Sequence, residues 1–289
     1  MIWVDALIQG VLLGGLYALF ATGLSLLYGV MGAINLAHGD IAVIAAYTVI
    51  VLVPALGMPP LAAAAVVVPL FLVLGYLGQR TLIQAALDRG ALTTLIVSFG
   101  LSIIIQNALL EVFTADSHSI DIGSLVTASI TINDQISIAW LSLAIFVTAV
   151  LVLGGLGLFL ARTSTGRLIR AVADDREAAQ LAGVRYRHVF GIAASLAVAT
   201  VALAGLAFGM YSSFDPSSGA LRLIFAFEAV VIGGLGSLWG TLAGGIVLGV
   251  AQALGAVIDP SFGVLAGNLV FLAVLAVRPQ GIAGARSRT

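Results

Sequence analysis

The stretch LIFAFEAVVIGGLGSLWGTLAGGIVLGVAQALGAVI, residues 223–258, contains a single charged side chain, Glu228, in 36 residues. As one straight helix it would be about 54 Å long, whereas the hydrocarbon core of a membrane is about 30 Å thick. The run therefore has to break, and the glycines that destabilise a helix interior are concentrated at Gly233, Gly234 and Gly236. A broken helix inside a membrane usually lines a cavity, because its freed backbone groups need partners there.

Apolar runs of similar character fill the rest of the chain. They cover Ala6–Val30, Ile34–Leu56, Leu61–Leu77, Ala91–Leu110, Ala139–Ala161, Val189–Tyr211 and Phe262–Val277. If residues 223–258 cross twice, the chain has nine spans; if their first half is re-entrant, it has eight. We therefore predict an all-α, polytopic membrane protein with 8–9 transmembrane helices, built as one transmembrane domain over residues 1–289.

The composition excludes several classes of protein. Of the 289 residues 61% are apolar and 9% are charged, which rules out both a soluble globular domain and a disordered chain. The chain has no cysteine, and all twelve basic residues are arginine. Without a lysine it cannot form a P-loop, so it cannot be a P-loop ATPase by itself. With no thiolate and three widely separated histidines, no metal or other cofactor is expected, and a net charge of −1 argues against binding nucleic acid.

The arginines indicate the orientation of the chain. Eleven of the twelve lie on one side when the N-terminus is placed outside and the C-terminus inside, and Arg222 is the exception. These eleven are Arg80, Arg89, Arg162, Arg167, Arg170, Arg176, Arg185, Arg187, Arg278, Arg286 and Arg288. The outer loop Glu111–Gln135 carries Glu111, Asp116, Asp121 and Asp134 and no arginine. Because cytoplasmic loops retain arginine, this arrangement favours nine crossings over eight.

The loop of residues 162–188, RTSTGRLIRAVADDREAAQLAGVRYRH, is the one sizeable polar segment on the inside. Thr165 can cap a helix start and Gly183 suits a helix stop, while Leu168, Val172, Ala179 and Ala182 form one apolar stripe. This pattern predicts a short amphipathic helix, lying either on the bilayer surface or in the groove of a cytoplasmic partner. Three acids among the six arginines favour the protein groove.

Ionisable and amide side chains inside spans are costly and are usually functional. Asn35, His38 and Asp40 are predicted to lie near the start of the second run, close to the inner interface, where they either satisfy a broken helix end or line the inner part of a pathway. Glu228 is either a structural hydrogen-bonding residue or a gate or contact for a substrate ammonium group. Three residues of the fourth run form interhelical hydrogen bonds or translocation contacts: Ser98, Gln106 and Asn107.

Three blocks of sequence resemble the membrane-spanning permease subunit of bacterial branched-chain amino acid ABC importers, the shorter of the two paired permeases. The first block comprises Gly15–Leu19, Gly23–Leu26, Tyr28–Gly32 and Asn35–Asp40. The second is Arg170-Ala171 with Ala178-Ala179 and Leu181–Val184. The third is Val231–Ser237 followed by Gly240, Gly244 and Gly245.

The resemblance implies a heteromeric importer in a bacterial inner membrane. Its other parts would be a second permease subunit, two cytoplasmic ATPase subunits and a periplasmic substrate-binding protein. The second block lies at the position of the family's coupling helix, which implies an ATPase-coupling role for Arg170, Glu177, Ala178, Ala179, Leu181, Ala182 and Gly183. The transported substrate implied is a branched-chain or related small neutral amino acid.

Two other classes of function remain open from the residues alone. A secondary transporter or channel for a small polar solute is the first, although no internal repeat is evident and neither explains the arginine-rich loop. An intramembrane enzyme is the second, but HExxH is absent and no Ser–His or paired-Asp motif stands out.

Overall fold

The computed structural model describes residues 2–123, 128–133 and 136–283. Asp134 of the predicted outer loop and Arg286 and Arg288 of the tail lie outside the described residues. Seven helices are long and apolar enough to cross a membrane: Ile2–Met31, His38–Leu56, Pro60–Leu87, Ala91–Phe113, Trp140–Arg162, Tyr186–Tyr211 and Leu238–Ile258. The predicted all-α polytopic membrane fold is therefore confirmed.

The helices follow one another in this order. They are α1 (Ile2–Met31), α2 (His38–Leu56), α3 (Pro60–Gly78), α4 (Gln84–Leu87), α5 (Ala91–Phe113), α6 (Trp140–Arg162), α7 (Ser164–Asp174), α8 (Arg176–Leu181), α9 (Tyr186–Tyr211), α10 (Gly219–Gly233), α11 (Leu238–Ile258) and α12 (Phe262–Val277). A π-helical segment, Gln79–Ile83, joins α3 to α4. Two strands, β1 (Ser129–Asn133) and β2 (Ile136–Ala139), pair antiparallel just before α6, where no strand was predicted.

The centre of the bundle is α1, whose apolar surface is almost wholly covered by its neighbours. Glycines let α1 and α11 approach at backbone distance. A Cβ added at Gly14 would lie 2.5 Å from Ile246 Cα, and one added at Gly249 would lie 2.4 Å from the carbonyl oxygen of Gly10. Such close approach suits a membrane interior, where helices associate through packing rather than through exclusion of water.

The long apolar run of residues 223–258 is divided between α10 and α11. The chain leaves α10 after Gly233 and turns through Gly234 and Gly236, which have positive φ angles of 104° and 81°, before Ser237 Oγ accepts the Gly240 amide at 3.1 Å to cap α11. These φ values suit glycine because it has no Cβ. The break therefore falls within the predicted glycine cluster.

The end of α10 lies on the same side of the bundle as the ends of α1 and α12. Gly236 packs against Gly29, near the end of α1, and the amides of Ile282 and Ala283 donate to the carbonyls of Ile232 and Gly233 at 2.8 and 3.0 Å. The helices α10 and α12 are short, with 15 and 16 residues, and α10 begins beside Asp40 of α2. Seven long helices, with the shorter apolar helices α10 and α12 beside them, agree with the predicted 8–9 spans over the described residues.

The loop between α6 and α9 forms two helices, not the single helix predicted. Thr163, rather than the predicted Thr165, caps α7 by accepting the Gly166 amide at 2.9 Å. Asp175 interrupts the helix in an extended conformation and caps α8 by accepting the amides of Glu177 and Ala178, both at 2.9 Å. The loop helix ends at Gly183, whose φ of +84° and Gly183–Gln180 and Val184–Ala179 hydrogen bonds are those of a Schellman stop.

Candidate functional site

Asp40 is the centre of a buried polar cluster between α2 and α5. Its side chain is 1% exposed, accepts the Ser102 hydroxyl at 2.5 Å through Oδ2 and accepts the Gln106 amide at 3.1 Å through Oδ1. Gly219, the first residue of α10, packs directly on the Asp40 carboxylate. Asp40 therefore joins three helices.

The start of α2 lies deep in the bundle. His38 Nε2 is 3.1 Å from the carbonyl oxygen of Phe20, and Phe20 lies 11 residues, about 16 Å, before the end of α1. Ser102 is likewise at the middle of α5. The prediction that Asn35, His38 and Asp40 lie close to the inner interface is thus wrong for His38 and Asp40, because the chain turns back through residues 32–37 inside the bundle.

Side chains satisfy the backbone of this buried turn. Asn35 Oδ1 accepts the Ala37 amide at 3.0 Å, and Ser98 Oγ accepts the Leu36 amide at 3.1 Å. Beside the turn is an apolar cavity of about 190 Å³, lined by Ile34, Ile41, Phe71 and neighbouring side chains. The Asn35 and Ser98 contacts replace bonds that a continuous helix would make, as a turn at membrane depth requires.

The remaining predicted pathway residues lie apart from this turn. Asn107 is exposed on α5 and donates to the carbonyl of Ile103 in its own helix at 2.8 Å. Glu228 on α10 is 4% exposed, and no described residue donates a hydrogen bond to its Oε2. The structure therefore brings together Asp40 and Gln106, with Ser98, His38 and Asn35 at the adjacent turn, but not Asn107 or Glu228.

Sequence reasoning did not single out a second polar group, which surrounds Tyr17 on α1. The Tyr17 hydroxyl donates to Gln252 Oε1 on α11 at 2.5 Å, and the Tyr17 ring lies 5.1 Å from that of Phe225 on α10. Arg222, one turn before Phe225, stacks over the Phe208 ring at 4.0 Å. The isolated glutamine in an otherwise apolar and glycine-rich α11 was the available signal.

The loop helices α7 and α8 have an inner face, which packs against the bundle, and an outer face, which is exposed. Ala179 is buried with Ile169, Val172 and Phe190 against α9 and the end of α1. Leu168 and Ala182, both assigned to the apolar stripe by the sequence pattern, are exposed, because α7 buries Ile169 and Val172 and α8 buries Ala179 instead. Leu181 is 92% exposed at the tip of the loop, flanked by the exposed residues Ala178, Ala182 and Glu177.

An ion cluster fixes the base of the loop. Asp88, just after α4, accepts Arg176 at 3.2 Å and Arg187 at 3.0 Å, and the Arg176 guanidinium lies 3.9 Å from the centre of the Tyr186 ring. Partial desolvation raises the pKa of Asp88, but the Gln84 and Tyr186 hydrogen bonds and the charges of both arginines outweigh it and hold that pKa below its ordinary value. These are the two ion pairs found among the described residues.

Comparison with known proteins gives matches over almost the whole chain. The family model described as "Branched-chain amino acid transport system / permease component" matches residues 6–277. The high-affinity branched-chain amino acid transport system permease protein BraD of Pseudomonas aeruginosa is 33% identical over 300 residues, covering 98% of this chain and 96% of BraD. The corresponding LivH of Escherichia coli is 30% identical over 296 residues, with the same two coverages.

A more distant likeness is confined to part of the chain. The fructose import permease protein FrcC of Rhizobium meliloti is 41% identical over 96 residues, which is 31% of this chain and 27% of FrcC. No solved structure matches.

Proposed function

The chain belongs to the family of permease components of branched-chain amino acid transport systems, and on that premise we propose that it moves branched-chain or related small neutral amino acids through a bacterial inner membrane. The observation that carries the proposal is the match of residues 6–277, which includes every membrane-crossing helix except the first turn of α1. Two relatives that cover nearly the whole chain are both named high-affinity branched-chain amino acid permeases.

As a permease component, the chain is a multi-pass membrane protein that works within a larger transport system. We propose that the other parts are a second permease, two ATPase subunits and a periplasmic binding protein. The complete absence of lysine supports separate ATPases, because a P-loop needs a lysine to reach the β- and γ-phosphates of ATP.

The proposed contact for the ATPase is the outer face of the loop between α6 and α9. Leu181 is nearly fully exposed there, and the small side chains of Ala178 and Ala182 leave room for a partner's surface. Glu177 and Arg170 add charges at the edge of this face. Ala179 and Gly183 act differently in this proposal: the first anchors α8 to the permease, and the second ends it.

The proposed orientation places this loop and the C-terminus in the cytoplasm and the N-terminus in the periplasm. Six arginines in residues 162–188 support it, since cytoplasmic loops retain arginine. In this proposal the chain crosses the membrane nine times, an odd number, so the two termini lie on opposite sides.

The proposed translocation pathway follows the polar side chains of the bundle interior. Its candidates are Asn35, His38, Asp40, Ser98, Gln106, Asn107 and Glu228. Glu228 is the strongest of these, because a buried carboxylate without a hydrogen-bond donor among the described residues is costly in a membrane unless it serves a ligand.

The coupling contact is tested by Leu181→Asp. A charge at the exposed tip would have to be desolvated in an apolar contact, so we expect loss of ATPase co-purification and of leucine uptake by membrane vesicles. The matched control is Val277→Asp, since Val277 is 86% exposed at the end of α12 on the same side of the bundle. Full co-purification and uptake with Leu181→Asp, or equal losses in both variants, would refute the proposed contact.

A further inference from the structure

Three buried polar atoms close to Tyr17 have no hydrogen-bond partner among the described residues. They are Arg222 Nε and Glu228 Oε2 on α10, and Gln252 Nε2 on α11. Buried polar groups in proteins are almost always paired, so three unpaired atoms in one region call for an explanation.

Tyr17 shows that the three side chains belong to one region. Its hydroxyl is hydrogen-bonded to Gln252, and its ring packs on Phe225, which lies one helical turn from Arg222 and one turn from Glu228 on α10. Phe225 lies midway between Arg222 and Glu228 on α10. The Tyr17–Phe225 contact therefore forms an aromatic wall with one charged side chain above it and the other below.

Arg222 is held in place but has no acceptor. Its guanidinium lies 4.0 Å from the Phe208 ring centre and 5.9 Å from that of Phe225. Among the described residues no carboxylate lies within ion-pair distance of this guanidinium. Aromatic faces attract a cation without using its N–H groups, so these donors remain available to an anion.

Glu228 and Gln252 complete the set with opposite roles. Glu228 is 4% exposed and supplies only acceptors when ionised, while Gln252 is 7% exposed and has used its carbonyl oxygen but not its amide hydrogens. A side chain that is more than nine-tenths buried and unpaired marks a place prepared for a group that the chain itself does not provide.

We infer that Arg222, Gln252 and Glu228 bind the two ends of an amino acid zwitterion, Arg222 and Gln252 its carboxylate and Glu228 its ammonium. This inference rests on the proposed transport of amino acids. Arg222 and Glu228 lie six residues apart, about 9 Å along α10, with Phe225 between them. A cationic and an anionic side chain on either side of one aromatic residue match the opposite charges at the two ends of an amino acid.

This arrangement also assigns a direction to the substrate. Arg222 is near the start of α10, and Glu228 is closer to the glycine break at its cytoplasmic end. A substrate that moves along α10 toward the cytoplasm would therefore travel with its ammonium group first. The lone arginine that departs from the charge rule thereby obtains a role: it receives the carboxylate on the periplasmic side of Glu228.

The test is coupling, measured in proteoliposomes that contain the whole complex with its binding protein and ATPases. We measure leucine accumulated per ATP hydrolysed for Arg222→Gln, Arg222→Lys and Glu228→Gln. We expect both glutamine variants to lower that ratio by about tenfold or more, since a hydrogen bond to a charged group is worth about one to two powers of ten. Arg222→Lys keeps the charge and should retain part of the ratio.

The control is Arg278→Gln, an exposed arginine outside the cluster, which should keep the wild-type ratio. If both Arg222→Gln and Glu228→Gln keep the wild-type ratio, the inference is overturned, while the proposed function stands. A wild-type complex that hydrolyses ATP but moves no leucine would overturn the proposed function together with it.

A cysteine probe decides the matter if the charge variants fail to assemble. Because the chain has no cysteine, a thiol introduced at Phe225 is the only one it carries. We expect leucine, supplied with binding protein and ATP, to slow alkylation of Phe225→Cys, but not of Ile224→Cys, whose side chain is half exposed on another face of α10. Equal alkylation of Phe225→Cys with and without leucine would contradict the inference.

Discussion

Asp40 illustrates how one buried side chain fixes the relation of several helices. It accepts hydrogen bonds from Ser102 and Gln106, and those two residues also contact each other at 3.2 Å. Because the three groups form one network, removing one member changes what the others contribute.

We therefore predict non-additive effects for Asp40→Ala and Ser102→Ala. Each should lower the free energy of unfolding. The loss in the double variant should be smaller than the sum of the two single losses by about 0.6 to 1.7 kcal/mol, the range of hydrogen bonds between membrane helices. Denaturation of the purified chain in detergent measures it. Asn107→Ala is the control, since Asn107 bonds only within α5, and its effect should add to that of Asp40→Ala. Additivity of the Asp40 and Ser102 changes would contradict the network.

Asp88 predicts a pH dependence at the base of the loop. Its pKa is lower in the folded chain than the ordinary value of about 3.9, so its stabilising effect is present above that value and is lost as the pH falls through the folded pKa. At pH 7 Asp88→Asn should melt at a lower temperature than the wild type, and the difference should shrink at pH 3. Asp174→Asn, without an ion pair in the described structure, should show no such convergence. A difference that stays constant between pH 7 and pH 3 would contradict this assignment.

From residue types alone it was easier to predict which polar side chains are buried than to predict their depth in the bundle. Asp40, His38 and Ser98 are buried, but the sequence could not place them at mid-bundle. The depth of these residues depends on how far α1 continues past Phe20, which His38 contacts. The residues of α1 before and after Phe20 are equally apolar, so hydropathy does not indicate that depth. Tyr17 and Gln252 were missed because each is a single polar residue in an apolar run, and only their contact reveals a pair.

The helices themselves are held together chiefly by small residues. Gly10 and Gly14 of α1 face Gly245 and Gly249 of α11, and each added Cβ would meet backbone atoms of the opposite helix. Backbone atoms cannot rotate away as a side chain can, so these positions tolerate no larger residue without separating the helices.

We predict that Gly14→Ala destabilises the protein and that Gly100→Ala does not. The new methyl group at Gly14 would lie 2.5 Å from Ile246 Cα, whereas nothing lies within 4 Å of the corresponding position at Gly100. Gly14→Ala should cost about 1–3 kcal/mol of stability, as overpacking does, while Gly100→Ala should be neutral or stabilising because alanine favours helix. Thermal unfolding in detergent compares them, and equal melting temperatures would show that α1 and α11 are not packed this closely.

Helix boundaries could be predicted where the sequence supplies a specific local signal. Gly183 ends the loop helix by its positive φ, and the glycine cluster contains the break between α10 and α11. The interruption at Asp175 was not predicted, because an aspartate is compatible with the middle of an amphipathic helix and acts as a cap only when the chain turns there. The β-hairpin before α6 was missed for a similar reason: its alternating pattern is short and lies in a polar loop.

Composition decided the nature of the whole molecule more firmly than any motif did. The apolar fraction indicates a membrane domain, and the absence of lysine supports the proposal that another chain supplies its energy. We predict that the purified chain releases no phosphate from ATP above a mock preparation, and that hydrolysis appears when ATPase subunits are added back. Hydrolysis by the chain alone, with the activity following it through a second purification step, would contradict the separation of the two tasks.

The deep start of α2 has a consequence for biogenesis. The hydrogen-bond partners of Asp40 leave the ribosome 62 and 66 residues after it, and Gly219, which covers it, emerges far later still. A nascent chain that ends after α3 therefore presents an unpaired carboxylate at mid-membrane depth. Insertion of the first helices cannot be final at that stage, and the insertion machinery has to shelter this part of the polypeptide until α5 has been synthesised.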